Sequence, residues 1–381
     1  MSEPLLGDTG AARVMTLLEE AGYQAFLVGG AVRNLLLGAP RSDLDITTDA
    51  RPETVMDLAE TAGIRALPTG IDHGTVTLLI DKTPYEITTF RRDVETDGRR
   101  AVVAFSDSIA EDAARRDFTM NALYMDRTGA VHDPTGQGRD DLAARRVRFI
   151  GAAEERIRED YLRILRFFRF TAWYGEAIDP EGLAASAALA DGLGQLSAER
   201  IGAEMRKLLD APDPAPIVAS MEASGVLAHL LLGAQTQALA PLVHIEDLPP
   251  AWPRRLAVLG GDRSRLKLSN AEEKQITQII DAAGMGAAEA AWRYGPEIAK
   301  DGALVRAACL MEPLNPDTDR EIARGAAAEF PVKAADLMPD YQGKSLGDAL
   351  KMLEAAWLES GMTAQKDALL RSLRRAPPAG D

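Results

Sequence analysis

The spacing of apolar residues changes character near residue 149. Before it, short apolar or alternating runs recur: FLVGG at 26 to 30, DLDITT at 43 to 48, GTVTLLI at 74 to 80 and YEITTF at 85 to 90. Helical stretches and turn residues separate them, which predicts a mixed sheet with helices packed on it. After residue 149 strand patterns fade. Helical runs take over, with AEERIREDYLRILRFFRFTAWYG from 153, SAERIGAEMRKLL from 197 and SLGDALKMLEAAWLE from 345. Pro-rich punctuation falls at 210 to 216 and 247 to 253. The expected fold class is α+β, an α/β head over 1–149 followed by an all-helical remainder.

Composition narrows the function classes. A chain of 381 residues, 46% apolar and 27% charged, can bury a large core and form two or more domains. No run of about twenty uncharged apolar residues occurs. The first twenty residues carry Glu3, Asp8, Glu19 and Glu20 with no apolar stretch behind a basic start. Neither membrane spanning nor secretion is expected. Cys309 is the only cysteine, so an intramolecular disulfide is excluded and a cytoplasmic location is expected. The formal net charge of −15 argues against a polyanionic partner unless its site is confined to one face. Local basic clusters at 91 to 100, at Arg145, Arg146 and Arg148, and at Arg163, Arg166 and Arg169 leave room for such a face.

The run YQAFLVGGAVRNLLLG reads as a strand, a turn at Gly29 and Gly30, and a short helix stopped at Gly38. Glycines at such a turn let backbone N–H groups approach an anion at the helix N-terminus, and Arg33 in the first turn adds a charged fork. A strand at 43 to 47 would point Asp43 and Asp45 to one face, their Cα atoms roughly 7 Å apart. Like charges so placed repel unless a cation lies between them. Hard carboxylate oxygens suit Mg²⁺, which recruits substrate phosphates. Glu86 faces away from Tyr85 and Ile87. It is either a third carboxylate of this site or a plain exposed strand residue, and it is not counted among the expected metal ligands.

GGAVRN at 29 to 34, DLD at 43 to 45, RRDFTMNAL at 115 to 123 and EDYLRILRFFRF at 159 to 170 resemble, in order and spacing, the successive motifs of class II CCA-adding enzymes. These are tRNA nucleotidyltransferases of the polymerase-β superfamily. The resemblance covers about residues 23 to 210. It implies a polymerase-β-like nucleotidyltransferase head over 1–149, a base-recognising helical neck over 150–225, and a helical body and tail over 226–381 that bind tRNA. The implied reaction adds C, C and A to the tRNA 3′ end from CTP and ATP with Mg²⁺, without a protein partner. Asp43 and Asp45 would be the catalytic metal ligands. Gly29, Gly30, Arg33, Arg116, Asp160, Arg163, Arg166 and Arg169 would bind the nucleotide. One departure is Asn34, where the family usually carries Asp.

The chemistry expected of Asp160 and Arg163 follows from their donor and acceptor inventory. Read alone, they are helical neighbours and an ordinary exposed ion pair. A carboxylate only accepts hydrogen bonds and a guanidinium only donates them. Cytosine and adenine both present an amino donor beside a ring-nitrogen acceptor, whereas uracil and guanine present a carbonyl acceptor beside an N–H donor. The pair therefore matches C or A and leaves mismatched polar groups against U or G, at about 1–3 kcal/mol for each buried one. Asp117 and Asn121 fit either a sugar-positioning role, which the resemblance implies, or a cap or buried polar contact. The segment 133 to 142 reads as a connector between head and neck.

Rival readings are weaker. Bacterial poly(A) polymerases share the head motifs but resemble one another in an Arg-rich stretch after the D-x-D strand, where this chain has ALPTGIDHGTVTLLI. A non-catalytic RNA-binding protein would not need the paired aspartates. The four histidines, His73, His132, His229 and His244, are scattered singly, which argues against a second, His-Asp type metal site. The charged run RRDVETDGRR at 91 to 100 has little apolar surface to bury and predicts a mobile surface loop. In position and composition it resembles the loop that helps CCA-adding enzymes switch from CTP to ATP, and this chain is not shortened there.

Overall fold

The structure is a computed structural model that describes residues 7–40, 43–96 and 101–375. The chain divides into two compact units: residues 1–234 with 261–267, and residues 235–260 with 268–381.

The first unit is built on a seven-stranded sheet in the order β3-β4-β5-β2-β1-β8-β9. Its strands are β1 (Ala25–Val28), β2 (Asp45–Thr48), β3 (Arg65–Gly70), β4 (Thr75–Ile80), β5 (Thr83–Thr89), β8 (Tyr124–Met125) and β9 (Val131–His132). All four runs supply strands, β1, β2, β4 and β5, where Leu27, Ile46, Val76, Leu78 and Ile87 are buried. The pairing of β2 with β5 is parallel, and it sets Asp45 opposite Glu86 and Ile46 opposite Ile87. Strand β1 runs antiparallel to β2, with Val28 opposite Asp45. Helices α1 (Thr9–Glu20), α2 (Gly30–Leu37) and α3 (Pro52–Thr61) accompany the sheet. Gly38 closes α2 with φ 64°, a left-handed conformation that glycine adopts without Cβ strain.

Two sequence expectations need correction. The strand carrying the paired aspartates begins at Asp45, so Asp43 lies just before it. The run 91 to 100 is not simply a loop. Residues Arg91–Thr96 form β6 and pair antiparallel with β7, Ala101–Phe105, because the apolar AVVAF segment supplies a partner ladder. Residues 97 to 100 lie outside the described residues. The segment 133 to 142, expected to connect head and neck, ends in the helix α5 (Gly138–Ala143), α4 being Ile109–Ala114. A Cβ on Gly138 would come within 2.6 Å of the Thr119 carbonyl oxygen, which shows how closely α5 packs on the head.

Beyond the head the first unit is helical, with α6 (Ala153–Glu159), α7 (Leu162–Tyr174), α8 (Pro180–Ala188), α9 (Ala198–Leu209) and α10 (Ala215–Ala223). Phe118, Phe149, Phe167 and Phe170 form a linked aromatic cluster that joins the head to α7. The second unit is entirely helical among its described residues, from Leu239–Ile245 to Lys366–Arg375. Trp357 anchors one of its clusters against Leu353, Val332 and Leu369. Arg254 and Arg255, both nearly fully buried, are neutralised there by Glu246 and Asp301. Among the described residues no helix is long and apolar enough to cross a membrane.

Candidate active site

The site begins at the turn between β1 and α2. Gly29 adopts φ 67° and ψ −124°, a backbone region open essentially to glycine alone. A Cβ built on it would lie 3.8 Å from Nη1 of Arg116, so the glycine turn and this guanidinium face each other. Arg116 is held by the buried Asp112 carboxylate at 2.9 Å and donates from Nε to the Tyr124 hydroxyl at 3.0 Å. Burial pushes the Asp112 carboxyl up, but Arg116, Arg115 and the Tyr124 hydroxyl outweigh it and hold it at about 2.

Asp43, Asp45 and Glu86 line one cleft of about 510 Å³, together with Asp8, Thr83 and Tyr85. Desolvation by the surrounding protein raises the Asp45 carboxyl above its ordinary range. The negative charges of Glu86 and Asp43 add to this, and Arg116 opposes it. Such mutual repulsion is the condition a divalent cation relieves, and all the donors are hard oxygens. Among the described residues no three acidic, His or Cys side chains converge into a ready-made metal cage. Magnesium is suited by one or two carboxylates completed by substrate phosphates and water.

Arg33 is 5% exposed, and its guanidinium is largely engaged. It donates to Asn34 Oδ1, to Asn121 Oδ1 at 2.6 Å and to the Tyr174 hydroxyl at 2.9 Å, with its carbon 4.0 Å from the Tyr174 ring centre. Four of its five N–H groups are used, which leaves one on Nη1. Asn121 in turn donates to Asp117, whose other oxygen accepts two bonds from Arg166 at 2.8 and 2.6 Å. Asp117 and Asn121 are thus buried polar contacts between Arg33 and Arg166. Glu204 in α9 continues the chain, accepting from Arg169 at 2.5 Å and lying 4.0 Å from Arg166.

The expected single helix through 153 to 174 is broken, and this corrects the view of Asp160 and Arg163 as neighbours within one helix. Asp160 ends α6 in an extended conformation, φ −155° and ψ 107°, and α7 starts at Leu162. Oδ1 of Asp160 accepts from the Leu162 amide at 3.1 Å and Oδ2 from Arg200 at 2.7 Å. Arg163 does not bond Asp160 through its side chain. Its Nη1 donates to Glu159 and to the Arg156 carbonyl at 2.8 Å, and its Nη2 to the Arg115 carbonyl at 3.3 Å. Its Nε–H and one Nη2–H remain. Arg163, Arg166 and Arg169 follow one another along α7 as the three-residue spacing requires.

The family model described as "Poly A polymerase head domain" matches residues 25–148, and that described as "Probable RNA and SrmB- binding site of polymerase A" matches 177–237. The chain is 31% identical to the mitochondrial CCA tRNA nucleotidyltransferase 1 of Danio rerio, over 96% of this chain and 91% of that protein. It is 34% identical to the CCA-adding enzyme of Geobacillus stearothermophilus, over 91% of each. The chain belongs to the CCA-adding enzymes. The crystal structure of the Bacillus stearothermophilus CCA-adding enzyme in complex with CTP superposes with a TM-score of 0.77 at 32% identity, covering 96% of both chains. The family's nucleotidyl transfer depends on a divalent metal.

Several side chains of this CCA-adding enzyme that hold the site are absent from the sequence expectation. Asp112 and Glu159 were legible in principle, each lying three or four residues from the arginines it binds. Glu204, Arg200 and Tyr174 carry no such signal, because their partners lie 35, 40 and 141 residues away. Oδ1 of Asn34 accepts from Arg33 while its amide donates to the Pro40 carbonyl at 2.8 Å, a donation an ionised Asp at this position could not make.

Proposed function

We propose that this chain adds C, C and A in turn to the 3′ end of tRNA from CTP and ATP, releasing pyrophosphate, with Mg²⁺ at Asp43 and Asp45. The observation that carries the reading is the β2–β5 register. It sets Asp45 across from Glu86 in one cleft with Asp43, beside Arg116 and the Gly29 turn.

In this reading the amides of Gly29 and Gly30, at the start of α2, and the open side of the Arg116 guanidinium hold the triphosphate. Arg33 adds its remaining N–H and stiffens the turn. When bound, the divalent ions lower the pKa of the primer hydroxyl and neutralise charge gathering on the α-phosphate oxygens. The hydroxyl oxygen forms the new bond to the α-phosphorus as the bond to pyrophosphate breaks. Asp160 accepts from the exocyclic amine of C or A, and Arg163 donates to the ring nitrogen beside it. Arg166 and Arg169, fixed by Asp117 and Glu204, line the nucleotide's other side. Residues 226–381 supply the tRNA-binding body and tail, working through shape and phosphate contacts because A-form grooves offer side chains little sequence readout. The cytoplasm is the proposed compartment, on the single cysteine and the bacterial relatives.

The test offers tRNAs ending before C, after C and after CC, with each of the four nucleotides separately. The reading expects CTP on the first two, ATP on the third, and neither UTP nor GTP on any. Addition of A alone to every substrate would mark a poly(A) polymerase, and addition of C alone a partial enzyme.

A further inference from the structure

The two groups assigned to base reading are each held by side chains that the reaction itself does not use. Asp160 stands in extended backbone between two helices, so no helix fixes its side chain. The neighbouring Tyr161 is packed hard against the turn at 190 to 195, where a Cβ on Gly192 would come within 2.0 Å of its ring. The backbone of the junction is therefore set, and what remains is the carboxylate torsion, which is intrinsically broad. Two hydrogen bonds fix it. One comes from the Leu162 amide, and the other from Arg200, which reaches across from the first turn of α9 at 2.7 Å.

We propose that Arg200 is a specificity-determining positioning residue, whose guanidinium clamps Oδ2 of Asp160 so that the carboxylate's remaining lone pairs meet the amino group of C or A. This rests on the reading of Asp160 and Arg163 as the base-reading pair. Discrimination against U and G requires an acceptor that cannot turn away from their carbonyl oxygens. With only the Leu162 amide as anchor, the carboxylate can rotate and relieve that clash. The clamp also works in reverse. Arg200 is half exposed and carries donors that would suit the carbonyl of U or G, and its bond to Asp160 takes up one of them and fixes where the guanidinium lies. An ion pair this exposed contributes little to stability, so removing it should leave the fold intact.

The experiment measures steady-state incorporation of all four nucleotides on tRNA lacking its CCA end. It compares the wild-type chain with Arg200→Ala, Arg200→Lys, Asp160→Ala and the Arg200→Ala/Asp160→Ala double variant, and records melting temperatures alongside. For Arg200→Ala, KM for CTP should rise and the CTP:UTP preference should fall, each by about tenfold, with kcat nearly kept and melting unchanged. Arg200→Lys should recover most of the preference, and the double variant should be no less selective than Asp160→Ala alone. Wild-type preference in Arg200→Ala, with preference lost in Asp160→Ala, overturns the clamp and leaves base reading standing. A uniform loss of kcat with lowered melting and no rescue by lysine also overturns it, as a structural effect. Wild-type preference in Asp160→Ala overturns the base-reading assignment itself, and the clamp with it.

Discussion

Asp112→Asn removes one charge from a fully buried carboxylate that holds Arg116 against the Gly29 turn. Oδ1 accepts from Arg115 at 2.9 Å, and Oδ2 accepts from Arg116 at 2.9 Å and from the Tyr124 hydroxyl at 2.8 Å. Holding the carboxyl near 2, against an ordinary 3.8, corresponds to roughly 2–3 kcal/mol of stability at neutral pH. Because the folded value is the depressed one, that stability is present above the ordinary value and is lost as pH falls through about 2. About half of it should remain at pH 3. The variant also leaves two partly buried guanidinium groups short of their counter-ion, which places the total loss at roughly 3–5 kcal/mol. Urea unfolding followed by circular dichroism, run at pH 7 and again near pH 3, measures the gap between wild type and variant. A gap that is large at pH 7 and narrows on acidification is expected. A gap under about 0.5 kcal/mol, or one that does not change with pH, would refute the electrostatic account of this anchor.

Asp43→Ala and Asp45→Ala should each abolish nucleotide transfer while tRNA affinity, measured by filter binding, stays within a few fold. Turnover retained in both variants sinks the metal assignment. Gly192→Ala should expel the Tyr161 ring, costing roughly 1–3 kcal/mol and lowering CTP incorporation, and wild-type melting and kinetics would show that the junction tolerates the change. Deletion of residues 93 to 98 should leave C addition nearly intact and block the terminal A, whereas equal loss of the first C would make the β6–β7 segment purely structural.

What could be read from the sequence was local. The Gly29 turn, the helix end at Gly38 and the apolar strands β1, β4 and β5 follow from neighbouring residues alone, and the structure has them where the pattern puts them. The parallel pairing of β2 with β5 was not readable, because two strands and a helix intervene, so the place of Glu86 beside Asp45 stayed open. The break at Asp160 was hidden for a different reason. Helical periodicity runs through 153 to 174 without a glycine or proline to mark it. The break is held by a tertiary contact instead, the packing of Tyr161 against Gly192. The run from 91 misled by composition. Charged residues in β6 suggested a loop, and the apolar partner that makes a strand of it comes only after residue 100.

The claim that matters most is that protein side chains, without a template, choose C and A. Incorporation of CTP, ATP, UTP and GTP by Arg163→Ala on tRNA lacking its end tests it most directly. The account predicts a slower enzyme that has also lost much of its preference for CTP and ATP, since half of the donor and acceptor pattern is gone. A slower enzyme with wild-type preference would contradict it and place base recognition elsewhere.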